Sequence, residues 1–257
     1  MPARDSSVVA IIQARMGSSR LPGKVLKEVC GKPMLVRQVT RVRRASTIGQ
    51  VVVATTSDPE DNCIAEMCRK FGIPYFRGSP LDVLDRYYRT AGLFGAETIV
   101  RLTGDCPVID PRLIDRTVHS FFEHKADFAA NRLPPPFKRT TPIGMDTEVV
   151  SFDNLARAWC EAEQKHEREH VMPYFYQQEG RFKVVLLDHE PDLSHYRLTV
   201  DTPEDLALIQ QIYEHFECTD EFSLDEIISL LEQRPDLAAL NAEVVQKDFL
   251  DKDTRFQ

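Results

Sequence analysis

The chain has 257 residues, 28% of them charged, and a formal net charge of −8. That length can bury one large core or two modest ones, and the acidic balance argues against nucleic acid as a partner. No apolar run approaches the roughly 18 residues of a membrane-spanning helix. Val8–Ile12 is too short for a signal-peptide core before Gln13 and Arg15 interrupt it. The expected location is therefore the cytoplasm, with no membrane attachment, and the six scattered cysteines, none in a Cys-x-x-Cys pair, are expected to be reduced thiols.

Charge is unevenly spread. Residues 1–50 hold ten Lys and Arg against two acids, Asp5 and Glu28. An acidic protein with one basic end suits a compact anionic ligand held locally. Arg37, Arg41, Arg43 and Arg44 read as a solvated helix face, whereas Arg15, Arg20 and Lys24 fall in a loop.

In chain order, Val8–Gln13 reads as a buried strand, a β-branched run without alternation. A loop of Gly, Ser and Pro follows to Lys24, then a helix entered at Pro33 and running to about Arg44. Gln50–Thr55 is a second strand. Asp58 opens a helix that Gly72 stops near Phe71. Ile73–Phe76 is a short strand, Pro80–Phe94 a helix stopped by Gly95, Thr98–Leu102 a strand and Pro111–Glu123 a helix. From 126 to 150 the pattern is irregular, with Pro134, Pro135 and Pro136 forcing an extended loop, until a strand at Met145–Ser151. Asp153–Gln178 reads as two helical pieces broken at Pro173, Phe182–Leu187 and Tyr196–Val200 as strands, and Pro203–Phe216 and Leu224–Glu232 as helices.

This alternation predicts a single three-layer α/β domain with a mainly parallel sheet, spanning 1–237, and a polar tail over 238–257. Ligands of such sheets bind at the carboxyl ends of the strands, and the unusual residues do cluster there. The stretch Gln13-Ala14-Arg15-Met16-Gly17-Ser18-Ser19-Arg20-Leu21-Pro22-Gly23-Lys24 combines two glycines, two serines and three cations after a buried strand. Glycine admits close backbone approach, and the cations supply fixed and mobile positive charge, as a triphosphate requires. It is not a P-loop, because five residues separate Gly17 from Gly23 and Val25 stands where Ser or Thr would hold magnesium. As a loop lysine, Lys24 is expected to contribute little to folding.

The motifs "QARMGSSRLPGKVL", "GKPML", "VVVATTSDPED", "DVLDRYYRTA", "IVRLTGDCPVIDP", "EREHVMPYFY" and "RLTVDTPEDL", in this order, resemble those of the cytidylyltransferases that make CMP-activated sugar acids. These are the CMP-KDO and CMP-sialate synthetases and especially the SpsF-type branch. The resemblance implies a nucleotide-diphospho-sugar transferase fold, a homodimer, CTP and a small anionic sugar-like acceptor as substrates, and magnesium (Mg2+) as cofactor. Arg15 and Lys24 match the triphosphate-binding cations, Ala14 a backbone contact to the nucleotide, and Asp105 and Asp201 the two magnesium carboxylates. Arg15, Lys24 and Asp105 are the expected catalytic set, with Gly17, Thr103 and Gly104 beside the nucleotide. Arg77, Arg86, Asp146, Glu148 and His170 are candidates for the acceptor pocket, Asp146, Glu148 and His170 equally for a subunit contact. Cys106 is not expected to act as a nucleophile, since the chemistry needs no covalent intermediate.

His166-Glu167-Arg168-Glu169-His170 also fits the H-E-x-x-H zinc-protease pattern. Its charged flanks and the early Pro173 favour an ordinary surface helix. Beside sugar-acid activation, the sequence leaves open a nucleotidyltransferase acting on a phosphonate or phospho-polyol, and a nucleotide-binding protein without catalysis.

Overall fold

The computed structural model describes residues 7–245; residues 1–6 and 246–257, the latter part of the expected tail, lie outside the described residues. The strands are β1 (Val8–Gln13), β2 (Glu28–Val29), β3 (Lys32–Pro33), β4 (Gln50–Thr56), β5 (Tyr75–Gly78), β6 (Thr98–Thr103), β7 (Phe128–Ala130), β8 (Glu148–Ser151) and β9 (Val184–Leu186). The helices are α1 (Met34–Val42), α2 (Asn62–Lys70), α3 (Val83–Leu93), α4 (Pro111–Glu123), α5 (Phe152–Glu161), α6 (Lys165–His170), α7 (Pro173–Tyr176), α8 (Pro203–His215), α9 (Leu224–Gln233) and α10 (Pro235–Ala238).

Seven strands form one sheet in the order β5-β4-β1-β6-β8-β7-β9, and β2 and β3 form a separate hairpin. In the large sheet only β8 runs against its neighbours, pairing antiparallel with β6 and β7. Its first residues therefore lie at the edge where β1, β4, β5, β6 and β7 end. In β1, Val8, Ala10 and Ile12 pack on one face and Val9 and Ile11 on the other. Both sets are buried because helices cover both faces, as a parallel sheet requires. The first face meets α1, α2, α4, α8 and α9 through Leu35, Ile64, Ile114, Ile209 and Ile227. The second meets α3, α5 and α7 through Tyr87, Leu155 and Phe175. The molecule is thus the single α/β domain with a mainly parallel sheet that the sequence predicts.

Several expectations differ. Tyr196–Val200 is no strand: only Arg197 makes a bridge, to Ile143. Apolar Tyr196, Leu198 and Val200 alternate with polar Arg197 and Thr199 as in a strand, but residues 197–200 are all buried, and the Leu198 N–H goes to the Ile143 carbonyl (2.7 Å) and that of Val200 to the Asp105 carbonyl (2.9 Å). The segment crosses the sheet's end. The irregular stretch after 126 holds the short strand β7, and β8 begins at Glu148 rather than Met145 because the Asn131 side chain takes the Thr147 N–H (2.8 Å) in place of a ladder partner. Three helical pieces, not two, fill 152–176, and Pro173 begins the third. Finally, Cys30 and Cys218 form a disulfide with Cα atoms 5.7 Å apart, so the six cysteines are not all thiols. The β2–β3 hairpin packs on the turn after α8, bringing together residues 188 positions apart in sequence.

Candidate active site

The loop after β1 is closed on itself. Ala14 still donates to the Ala54 carbonyl of β4 (3.1 Å), then the chain leaves the sheet, exposes Gly17 and returns where the Gly23 N–H meets the Met16 carbonyl (3.1 Å). Gly23 has φ +67°, and a Cβ there would stand 3.0 Å from the Met16 methyl, so the return needs glycine. A single 3-10 turn, Lys24–Leu26, follows and turns Lys24 back over the sheet edge.

Below it lies the end of β6. The Gly104 N–H donates to the Gln13 carbonyl (2.8 Å), and a Cβ on Gly104 would lie 2.7 Å from that oxygen. Only glycine lets the ends of β1 and β6 approach this closely. The Gln38 amide holds the Thr103 carbonyl from α1 (2.7 Å). The Asp105 carbonyl then accepts the Val200 N–H (2.9 Å) and the Thr199 hydroxyl (3.1 Å), which draws Asp201 alongside.

Lys24 stands between the two aspartates. Its ammonium lies 2.8 Å from Asp105 Oδ2 and 2.7 Å from Asp201 Oδ1. Burial alone would raise the Asp105 carboxyl and lower the Lys24 ammonium. Their mutual attraction overrides it, holding Asp105 at about 2 and raising Lys24. Asp201 Oδ2 also meets Arg197 (2.7 Å) and Arg20 (3.0 Å). Beneath it, fully buried Asp205 accepts the N–H groups of Asp201 (2.9 Å) and Thr202 (3.1 Å), the Arg197 guanidinium and the Asn241 amide. Asp205 is also the third residue of α8, so one side chain caps the helix and fixes Asp201. The two carboxylates converging on one cationic centre fit a magnesium ion, which takes one or two protein carboxylates and fills its shell with phosphate and water oxygens.

The structure separates the five residues expected around an acceptor. Arg86 and His170 line a cavity of about 130 Å³ with Gln13, Ala14, Arg15 and Glu169, on the β1 side of Asp105. Arg86 is 3% exposed; it donates to the Ser79 carbonyl (2.7 Å), while its Nε has no hydrogen-bond partner. Arg77, at the end of β5, binds the Thr56 and Asp58 carbonyls (both 2.8 Å) and Asn62 (2.7 Å), clamping the turn into α2. Asp146 and Glu148 lie on the other side, before and at the start of β8. Arg139 grips Asp146 through two contacts (2.6 and 2.9 Å), and Glu148 pairs with Arg101, which also reaches Gln13 (3.2 Å).

Cys106 is buried, and burial together with neighbouring Asp105 pushes its thiol well above the usual range. In the H-E-x-x-H stretch Glu167 accepts the Gln164 N–H (3.0 Å) as a helix cap, and His166 pairs with Gln177 (2.7 Å). Sequence reading missed Asp61, Arg101, Arg197, Asp205 and Asn241. Asp205 carried the one usable signal, its place three residues after Thr202 in a capping pattern. Asp61, Arg101 and Asn241 each have a partner distant in sequence, and nothing in the local pattern marks the pairing of Arg197 with Asp201 and Asp205.

The fold and the arrangement of cations and carboxylates at its carboxyl edge define a nucleotidyltransferase. Residues 9–247 match the family model described as cytidylyltransferase, and the chain belongs to that family of CTP-dependent enzymes. It is 33% identical over 240 residues to the spore coat polysaccharide biosynthesis protein SpsF of Bacillus subtilis, covering 91% of this chain and 97% of that one. Over 122 residues, 47% of each chain, it is 38% identical to the 3-deoxy-manno-octulosonate cytidylyltransferase of Geobacter sulfurreducens. The solved cytidylyltransferase from Leptospira borgpetersenii superposes with a TM-score of 0.84 at 35% identity, covering 90% of this chain and 96% of that one. Among the described residues no helix is long and apolar enough to cross a membrane.

Proposed function

We propose that this enzyme moves CMP from CTP to an acidic sugar, a nonulosonate or KDO-like acid, and releases pyrophosphate. We place it in the cytoplasm as a magnesium-dependent homodimer serving surface polysaccharide synthesis. The observation that carries the reading is the meeting of Asp105, Asp201 and Lys24 at the carboxyl edge of the sheet, beside a closed glycine-containing loop. The relatives named above support the choice of a sugar acid.

The sheet edge divides the work. On the β1 side, the cavity beside Ala14 and Arg15 takes the nucleoside end of CTP, and the loop 14–24 takes its phosphates. On the β8 side, the charged groups around Asp146 and Glu148 take the acceptor. An acceptor hydroxyl oxygen approaches the α-phosphorus from that side. As the new O–P bond forms, the bond from the α-phosphorus to the bridging oxygen breaks, and its electron pair leaves with pyrophosphate. The hydroxyl proton passes to solvent. Lys24 and Arg15 meet charge shifting toward the leaving group; such preorganised electrostatic stabilisation commonly dominates the rate gain in transfers of this kind. Asp105 and Asp201 would hold magnesium, which when bound neutralises phosphate oxygens and fixes their orientation.

The test is pyrophosphate release with each of four nucleoside triphosphates against a panel of sugar acids, phosphonates and phospho-polyols. CTP with a sugar acid should give the highest rate. Turnover only with a phosphonate or phospho-polyol would overturn the acceptor class. Asp105→Asn and Asp201→Asn should each fold and lose most magnesium-dependent turnover, whereas near-normal rates in both would overturn the metal assignment. Light scattering measures the proposed dimer.

A further inference from the structure

One buried carboxylate has no part in the chemistry above. Asp61 is 3% exposed and immediately precedes α2, where an aspartate commonly caps a helix, yet its side chain makes no cap hydrogen bond. Instead Oδ1 accepts the N–H of Met16 at 2.6 Å, and Oδ2 accepts the hydroxyl of Thr56 at the end of β4. Thr56 in turn accepts the Asp58 N–H (3.1 Å), which fixes the hydroxyl's direction. Burying a carboxylate is costly; attraction to the nearby Arg86 guanidinium offsets part of that cost, and helix capping does not account for the position.

Its partner explains the position. Met16 is the neck of the loop: its carbonyl takes the Gly23 N–H (3.1 Å), and its own N–H goes to Asp61. Arg15 precedes it directly, and Gly23 precedes Lys24. One carboxylate thereby fixes the start of the loop, and through Met16 its end, relative to β4.

We propose that Asp61 is the positioning residue of the triphosphate loop, holding Met16 so that the loop's cations are presented at one fixed distance from the sheet edge. This rests on the reading that residues 14–24 hold the triphosphate of CTP. A group that orders a loop in advance acts on binding, because a loop left free must be ordered by the ligand.

Calorimetric titration with CTP and magnesium chloride tests it on the unmodified chain, Asp61→Ala, Asp61→Asn and Thr56→Val, with melting curves confirming that each is folded at the titration temperature. Asp61→Ala should raise the Kd for CTP about tenfold or more. Asp61→Asn, whose carboxamide oxygen can still accept the Met16 N–H, should stay within about threefold. A folded Asp61→Ala that binds CTP like the unmodified chain overturns the proposal, and so does an Asn variant as weak as the Ala variant. If Asp61→Ala does not fold, Thr56→Val decides: similar in volume, it frees Oδ2 and should weaken CTP severalfold, and unchanged affinity counts against the proposal. An unmodified chain that fails to bind CTP overturns the proposed function itself, a result separate from any failure of Asp61.

Discussion

The Lys24 side chain is only 12% exposed and sits between two carboxylates. Removing it leaves Asp105 and Asp201 facing one another without their shared counter-ion. Lys24→Ala should therefore lower stability by about 1–3 kcal/mol, more than a loop position suggests, and added magnesium should restore part of the loss. It should also lower kcat about 10²-fold or more, with CTP and poorer nucleotides alike, since phosphates carry no base identity. Melting temperatures with and without magnesium, beside kcat and KM, check both effects. Full stability with normal turnover would mean that the loop holds no phosphate.

Among the elements, α4 is the one that must be steadied, because it follows directly from the Asp105 loop. Asp110 caps its first turn through the Arg112 N–H (2.7 Å) and also accepts the Leu224 N–H at the start of α9 (2.6 Å). One turn on, Asp115 accepts the N–H and hydroxyl of both Ser46 and Thr47, at 2.6 to 2.9 Å, tying α4 to the turn between α1 and β4. Burial would raise the Asp115 carboxyl, but these four donors outweigh it and hold it below its ordinary value. A carboxylate depressed in the folded state contributes stability above its unfolded value of about 3.9 and loses it as pH falls through the lower folded value. Asp115→Ala should cost about 1–2 kcal/mol at pH 7. Its deficit against the unmodified chain should shrink as pH falls below about 4. Denaturant melts at pH 7 and pH 3 measure the difference, and a deficit that stays constant would show that the carboxylate charge has no role.

At the scale of the molecule, the fold makes neighbours of segments far apart in sequence: Lys24 and Asp201 meet at the site. Cys30–Cys218 joins the hairpin after one to the turn after the other. Fully buried Arg37 reinforces the joint, donating to the carbonyls of Cys30 (2.9 Å) and Cys218 (2.8 Å) and pairing with Asp220 (3.0 Å). Arg41 does the same to the Ile109 and Phe222 carbonyls (both 2.9 Å), so two arginines of the expected solvated face are interior braces. A cross-link closing a loop this long should stabilise the fold by about 2–4 kcal/mol. Cys30→Ser with Cys218→Ser should lower the denaturant midpoint accordingly, and mass spectrometry before and after reduction and alkylation should count the bond. Free thiols at both positions in the purified protein would remove this contribution.

The sequence by itself determined the parts whose cause is local. The β-branched run of β1, the Pro and Gly stops of the helices, and the glycines and cations of the loop 14–24 follow from backbone conformation and charge that a short stretch carries alone. The order of strands and helices then limits where a ligand can bind, which made Asp105 legible as a strand-end carboxylate; Asp201 reads the same way, although the segment before it is no strand. Tertiary structure decided what depends on partners. Tyr196–Val200 alternates apolar and polar residues, yet its donors find carbonyls at Ile143 and Asp105, so a strand-like sequence became the crossing segment that delivers Asp201. Asp61 carries no local mark of its contact with Met16, and the capping pattern that marks Asp205 says nothing of Arg197 and Asn241. Cys30 and Cys218 look like two thiols until the hairpin packs on the turn after α8. A buried polar group must be satisfied, but its partner can come from anywhere the fold brings near, and only the packed chain fixes which one it is.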